Sequence, residues 1–82
     1  HGAKVNARNK KGITPLHYAA GGGYKEVAAF LIQRGGDVNY RDDGKGTPLH
    51  LAAREGNPAV AELLIEKGAE INAQDQGGDT PL

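Results

Sequence analysis

Two histidines, His17 and His50, are the side chains in this sequence best suited to chemistry, and they stand 33 positions apart. An imidazole moves protons near neutral pH and ligates transition metals, so what surrounds each histidine decides whether it does either. The chain has no cysteine, and no paired carboxylate stands at ligand spacing around them. His1 is terminal and carries no weight. The run Gly21-Gly22-Gly23 suggests a phosphate cradle, but it lacks the following Lys-Ser/Thr of a P-loop and the GxGxxG spacing after a strand. No nucleophile–base pair rises above background either. The expectation is a chain with no catalytic residue, no metal site and no cofactor, and hence not an enzyme.

The spacing of the histidines has a different origin. Thr14-Pro15-Leu16-His17 recurs as Thr47-Pro48-Leu49-His50 and starts again as Thr80-Pro81-Leu82. A second phrase keeps the same step: Gly2-Ala3-Lys4-Val5-Asn6, Gly35-Gly36-Asp37-Val38-Asn39 and Gly68-Ala69-Glu70-Ile71-Asn72. Residues 9–41 and 42–74 align without a gap and agree at 13 positions, which fall on turns, caps and apolar sites where a shared backbone would need them. The sequence is therefore a tandem array of one supersecondary unit. The histidines recur because the unit does.

Local signals build that unit. Thr14 and Thr47 are N-caps, since a hydroxyl accepts from an unpaired N–H of the first helical turn. The proline after each suits the first helical position, where its missing N–H costs nothing. Short helices are expected over residues 16–20 and 49–53, closed by Gly23 and Gly56 in a left-handed conformation. Longer second helices are expected over 25–34 and 58–67, with Val27, Ala28, Leu31, Ile32 and Val60, Ala61, Leu64, Ile65 at helical spacing. Asn57 before Pro58 reads as a further cap, and Gly35 and Gly68 end these helices. Phe30 and Leu63 widen the apolar face toward a neighbouring repeat. The pairs Ala19-Ala20 and Ala52-Ala53 let the two helices of a repeat approach closely. Asn6, Asn39 and Asn72 are expected to brace the turn into the next hairpin through side-chain-to-backbone bonds.

With TPLH, AA, G, LL, GA and VN in register over two full units, the chain from Gly2 to Leu82 resembles the ankyrin repeats. That resemblance implies an all-α solenoid of β-turn and helix-turn-helix units, divided here as residues 1–8, 9–41, 42–74 and 75–82 of one array. It implies binding to another protein without catalysis. It also implies that the TPLH histidine pins the hairpin by hydrogen bonding. Family binding surfaces combine hairpin tips with the inner helix. On this sequence those positions are Arg8, Lys10, Lys11, Ile13, Arg41 and Asp43 at the tips, and Tyr18, Gly21, Gly22, Arg54 and Glu55 on the inner helix. In the family, asparagines at the position of Asn6, Asn39 and Asn72 can be hydroxylated by an oxygenase, and Leu31 and Leu64 lie eight residues upstream of the last two, which would make the chain a substrate. One departure stands out: the tip glycine kept at Gly12 and Gly78 is Lys45 in the middle hairpin, so that turn is expected to be reshaped or shifted.

Ten basic and ten acidic residues cancel, which removes any global electrostatic reason to expect nucleic acid or an anionic membrane. No apolar run approaches the roughly 18 residues of a membrane span. The absence of cysteine fits a reducing compartment, so a cytoplasmic or nuclear setting is the expectation. Charge is nevertheless polarised: residues 1–41 carry seven basic and two acidic groups, and residues 42–82 three basic and eight acidic. In a solenoid that becomes an end-to-end dipole, suited to an acidic partner or to the opposite end of another copy. Two complete units give a small core, and the sequence starts and stops inside units. A piece of a longer array, or self-association through exposed repeat ends, is the expectation.

Overall fold

Identical caps start the first helix of both complete repeats. Thr14 and Thr47 are extended, each at φ −100° and ψ 167°. Their hydroxyl oxygens accept from the N–H of His17 and His50, three residues on. In return Nδ1 of each histidine accepts the threonine's own N–H, at 3.1 and 3.0 Å. This is a capping box with histidine where glutamate or glutamine is usual. Pro15 and Pro48 follow as the first helical residues.

The computed structural model describes residues 5–81; His1, the Gly2-Ala3-Lys4 opening of the second phrase and Leu82 lie outside the described residues. Four helices follow: α1 (Pro15–Gly22), α2 (Lys25–Gln33), α3 (Pro48–Arg54) and α4 (Pro58–Glu66). No strand occurs among the described residues, and the all-α expectation holds. α1 runs two residues past the expected 20, carrying Gly21 and Gly22 inside the helix. α2 and α4 stop one residue early, because Arg34 and Lys67 serve as C-caps. All four helices end with the same bond from the residue after a left-handed glycine back into the last turn: Tyr24 to Ala19, Gly36 to Leu31, Asn57 to Ala52 and Ala69 to Leu64, at 2.8–2.9 Å.

α1 pairs with α2 and α3 with α4; the two hairpins then stack, α1 on α3 and α2 on α4. The core between them is made of Leu16, Leu49, Val60 and Leu64, with Ala20, Ala28 and Ala52 all fully buried. Of the alanine pairs expected to let the helices meet closely, Ala19, Ala20 and Ala52 are buried and Ala53 is half-buried. Every buried side-chain nitrogen and oxygen among the described residues has a hydrogen-bond partner.

Candidate partner-binding surface

Three hairpins, one per repeat, form a ridge along one edge of the helix stack. Each is anchored by an acceptor side chain that the sequence reading overlooked. Asn9 Oδ1 accepts from Lys11 and Ile13 N–H, Asp42 Oδ1 from Gly44 and Gly46, and Asp75 Oδ1 from Gly77 and Asp79, all at 2.8–3.0 Å. The Asn/Asp/Asp identity at a 33-residue step was the available signal, since such side chains bond the backbone two residues on. The N–H of Asp79, and less strongly that of Gly77, holds the Asp75 carboxyl below its ordinary value against an opposing desolvation.

The ridge is stitched from repeat to repeat by bonds that also recur. Nε2 of His17 reaches the Gly46 carbonyl at 3.0 Å, and that of His50 the Asp79 carbonyl at 2.8 Å. A carbonyl only accepts, so Nε2 carries the proton and Nδ1 is the acceptor already described. Both histidines are buried; their chemistry is used up in holding hairpins, as the family resemblance implied. Backbone bonds join the tips directly, Asp43 N–H to Lys11 O and Gln76 N–H to Gly44 O. Asn6 and Asn39 span repeats as well: each amide donates to a glycine carbonyl, Gly35 or Gly68, and each Oδ1 accepts from Asp37 or Glu70 N–H. They therefore brace the neighbouring repeat, not the turn of their own that was expected.

Two further expectations are corrected. Asn57 does not cap α4 with its side chain. Its amide instead donates to the carbonyls of Ala20 and Gly21 at 2.9 and 3.0 Å, closing the C-terminus of α1 from the next repeat. The middle hairpin, moreover, is neither shifted nor reshaped. Lys45 takes up φ 65° where Gly12 and Gly78 have 78° and 83°, and its N–H bonds Asp42 O as Gly12 bonds Asn9 O. The paired acceptor bonds of Asp42 hold the register, and the lysine bears the left-handed strain, about 1–2 kcal/mol for an L-residue.

The eleven anticipated binding residues separate into three groups. Arg8, Arg41 and Asp43 are exposed on the ridge but engaged: Arg8 pairs with Asp43 at 2.8 Å, and Arg41 donates to the Gln74 carbonyl at 3.0 Å. Lys10 and Lys11 project from the same ridge. Arg54 and Glu55, with Gly21 and Gly22, lie at the adjoining C-termini of α3 and α1. Gly21 is half-buried, with a Cβ there meeting Leu51, while one on Gly22 would overlap the Tyr24 ring. Ile13 and Tyr18 are elsewhere, on the end face of the first repeat, where Tyr18 Oη accepts from Asn9 Nδ2 at 3.1 Å. Tyr24, Val27 and Phe30 are exposed beside them, although Val27 belongs to a helical apolar stripe that reads as core. Tyr40 is packing, edge-on to His17 at 6.4 Å.

Chemically the surface offers shape and charge. Among the described residues no group of three or more His, Cys, Asp or Glu could hold a metal ion, and no helix is long and apolar enough to cross a membrane. A stack of hairpin-plus-two-helix units with a capping-box histidine riveting each to the next defines a helical-repeat protein. The chain belongs to the ankyrin-repeat family, whose model matches as three copies over residues 1–75. Comparison with curated protein sequences finds no significant match. Ankyrin repeats generally mediate protein–protein binding, and the family is typically non-catalytic.

Proposed function

We propose that this chain is a non-catalytic module that binds a partner protein through its hairpin tips and the inner face formed by α1 and α3, in a cytoplasmic or nuclear setting. The observation that carries the reading is a division of labour between the ridge and the adjoining end of α3. Arg8, Arg41, Asp43 and the hairpin backbones make the contacts between repeats, whereas the side chains of Lys10, Lys11, Lys45 and Glu55 have no hydrogen bond or ion pair among the described residues. Side chains that the fold does not use are the ones left to choose a target.

The test is affinity capture from a cell lysate with the native chain and a variant carrying Lys10→Ser, Lys11→Ser, Lys45→Gly and Glu55→Ala. These changes spare every bond between repeats. A protein partner kept by the native chain and lost by the variant is expected; recovery of the same proteins by both would sink the reading. As a substrate of an asparaginyl hydroxylase the chain would present Asn72, since the amides of Asn6 and Asn39 are already engaged. Mass spectrometry after incubation with such an oxygenase tests that second role.

A further inference from the structure

Asp43 is followed by Gly44, a neighbour that none of the other four aspartates and none of the five asparagines has. An aspartyl-glycine bond is chemically unstable. The Gly44 nitrogen can attack the Asp43 carboxyl carbon, because glycine has no side chain to obstruct the approach. A bond forms from that nitrogen to Cγ, and one water leaves, made of a carboxyl oxygen, the amide proton and a proton from solvent. The resulting succinimide then takes up a water and returns the solvent proton. Opening the bond to Cγ restores aspartate. Opening the bond to the main-chain carbonyl carbon gives isoaspartate, whose backbone runs through the former side chain. The sequence consumes no oxidant and no cofactor.

In the folded chain both reacting groups are engaged elsewhere. Gly44 N–H donates to Asp42 Oδ1 at 2.9 Å, and Arg8 Nη2 donates to Asp43 Oδ1 at 2.8 Å. The Asp43 N–H donates to the Lys11 carbonyl at 2.9 Å. The carboxylate also lies against Gly12, where a Cβ would come within 2.9 Å of its Oδ1. Burial adds no shelter, since the Asp43 side chain is 60% exposed. Arg8, Lys11 and Gly12 stand in the first hairpin, Asp43 and Gly44 in the second. Most of what restrains this bond therefore comes from the neighbouring hairpin, and is in place only while the two are docked.

We propose that Asp43-Gly44 is a site of spontaneous isomerisation to isoaspartate, restrained by the docked first hairpin and released when the seam between the two hairpins opens. Surface hairpins open locally at low free-energy cost, so the product accumulates as a record of how often the seam has been undone. The product also keeps the seam from closing. Isoaspartate adds one methylene to the main chain between the Asp43 N–H and the Gly44 carbonyl. These are the two groups through which the second tip bonds its neighbours, Lys11 on one side and Gln76, at 2.7 Å, on the other. The lengthened backbone cannot hold both bonds in register. The inference is independent of the protein-binding reading.

The test keeps the chain at neutral pH and physiological temperature in water enriched in heavy oxygen, followed by digestion and mass spectrometry. Hydrolysis of the succinimide writes a heavy oxygen into residue 43, and electron-transfer fragmentation distinguishes isoaspartate from aspartate. A synthetic peptide of residues 40–47 sets the unrestrained rate. The native chain should react more slowly than the peptide, and at Asp43 alone among its aspartates. Arg8→Gln installs the residue that the third hairpin carries at that place, Gln74, so the fold survives. It should raise the rate about two- to fivefold, the range for releasing an exposed ion pair. Arg41→Gln removes a bond to the Gln74 carbonyl on the far side of the second hairpin and should leave the rate unchanged. Gly44→Lys copies Lys11 of the first hairpin and should suppress the reaction in chain and peptide alike. A native rate equal to the peptide's would overturn the restraint, and so would an Arg8→Gln rate equal to the native one. Equal acceleration by Arg41→Gln would replace release at this seam by general loosening and overturn the part given to the first hairpin. Absence of heavy oxygen at Asp43 in every chain would overturn the site itself.

Discussion

The two complete repeats share one backbone and differ in what covers them. Leu64 and Val60 are sealed between helices, while Leu31 and Val27, the same residues one period earlier, are half-buried and exposed. Sequence identity at a position therefore says which way a side chain points within its unit, and leaves open whether anything lies beyond it. In a solenoid burial belongs to interfaces between units. That is why, among the described residues, Val60 and Leu64 are sealed while Val27 and Leu31 are not.

The sharpest test of that difference is a matched pair of truncations. Leu64→Ala should cost about 2–5 kcal/mol, as expected for a fully packed leucine, and Leu31→Ala well under half of that. Urea unfolding read by circular dichroism gives both numbers, and equal losses would break the comparison. Next in size is Ala52→Leu, at a fully buried site in the helical core; overpacking should remove about 1–3 kcal/mol. His17→Ala should lose a similar 1–3 kcal/mol, because it strands the Gly46 carbonyl and the Thr14 N–H in a buried setting. His50→Ala should lose somewhat less, its bond to Asp79 being only part-buried.

Smaller effects separate the hairpins. Lys45→Gly relieves the left-handed strain and should stabilise by about 1 kcal/mol. The reverse change, Gly12→Lys, should destabilise beyond strain alone, because a Cβ there comes within 3.0 Å of the Asp43 backbone nitrogen. Thermal melts of the two variants should move in opposite directions. The smallest effect is set by pH. The Asp75 carboxyl is held below its ordinary value by the N–H groups it accepts, so its support of the third hairpin is complete above that ordinary value and fades as pH falls through the lowered one. Hydrogen-exchange protection at Gly77 and Asp79, taken relative to the intrinsic rate at each pH, should fall first on acidification; uniform protection to the lowest pH would remove Asp75 from the role.

Much of this was legible in the residues. The threonine caps, the closing glycines and the alanine seam are local or periodic signals, and the helices fall within two residues of where those signals put them. What escaped was what depends on the neighbouring repeat. Asn57 before a proline looks like a cap, and its real partners, Ala20 and Gly21, lie more than a full period away. Lys45 looks like a disrupted turn until the two acceptor bonds of Asp42 are seen to impose the geometry. The surface positions anticipated to bind were the least legible. Arg8 and Asp43 have the charge and exposure expected of a contact surface, yet they pair with each other across the repeat boundary.

One consequence of the stitching is mechanical. The bonds from Asn6, His17, Asn39, Arg41 and His50 each run from one unit to the next. Under tension along the stack these seams lie in series, so each bears the full load and the weakest opens first. The chain would lengthen in steps, like a zip fastener drawn from one end, and a seam reclosing on release would recover the same register because its bonds repeat at every step.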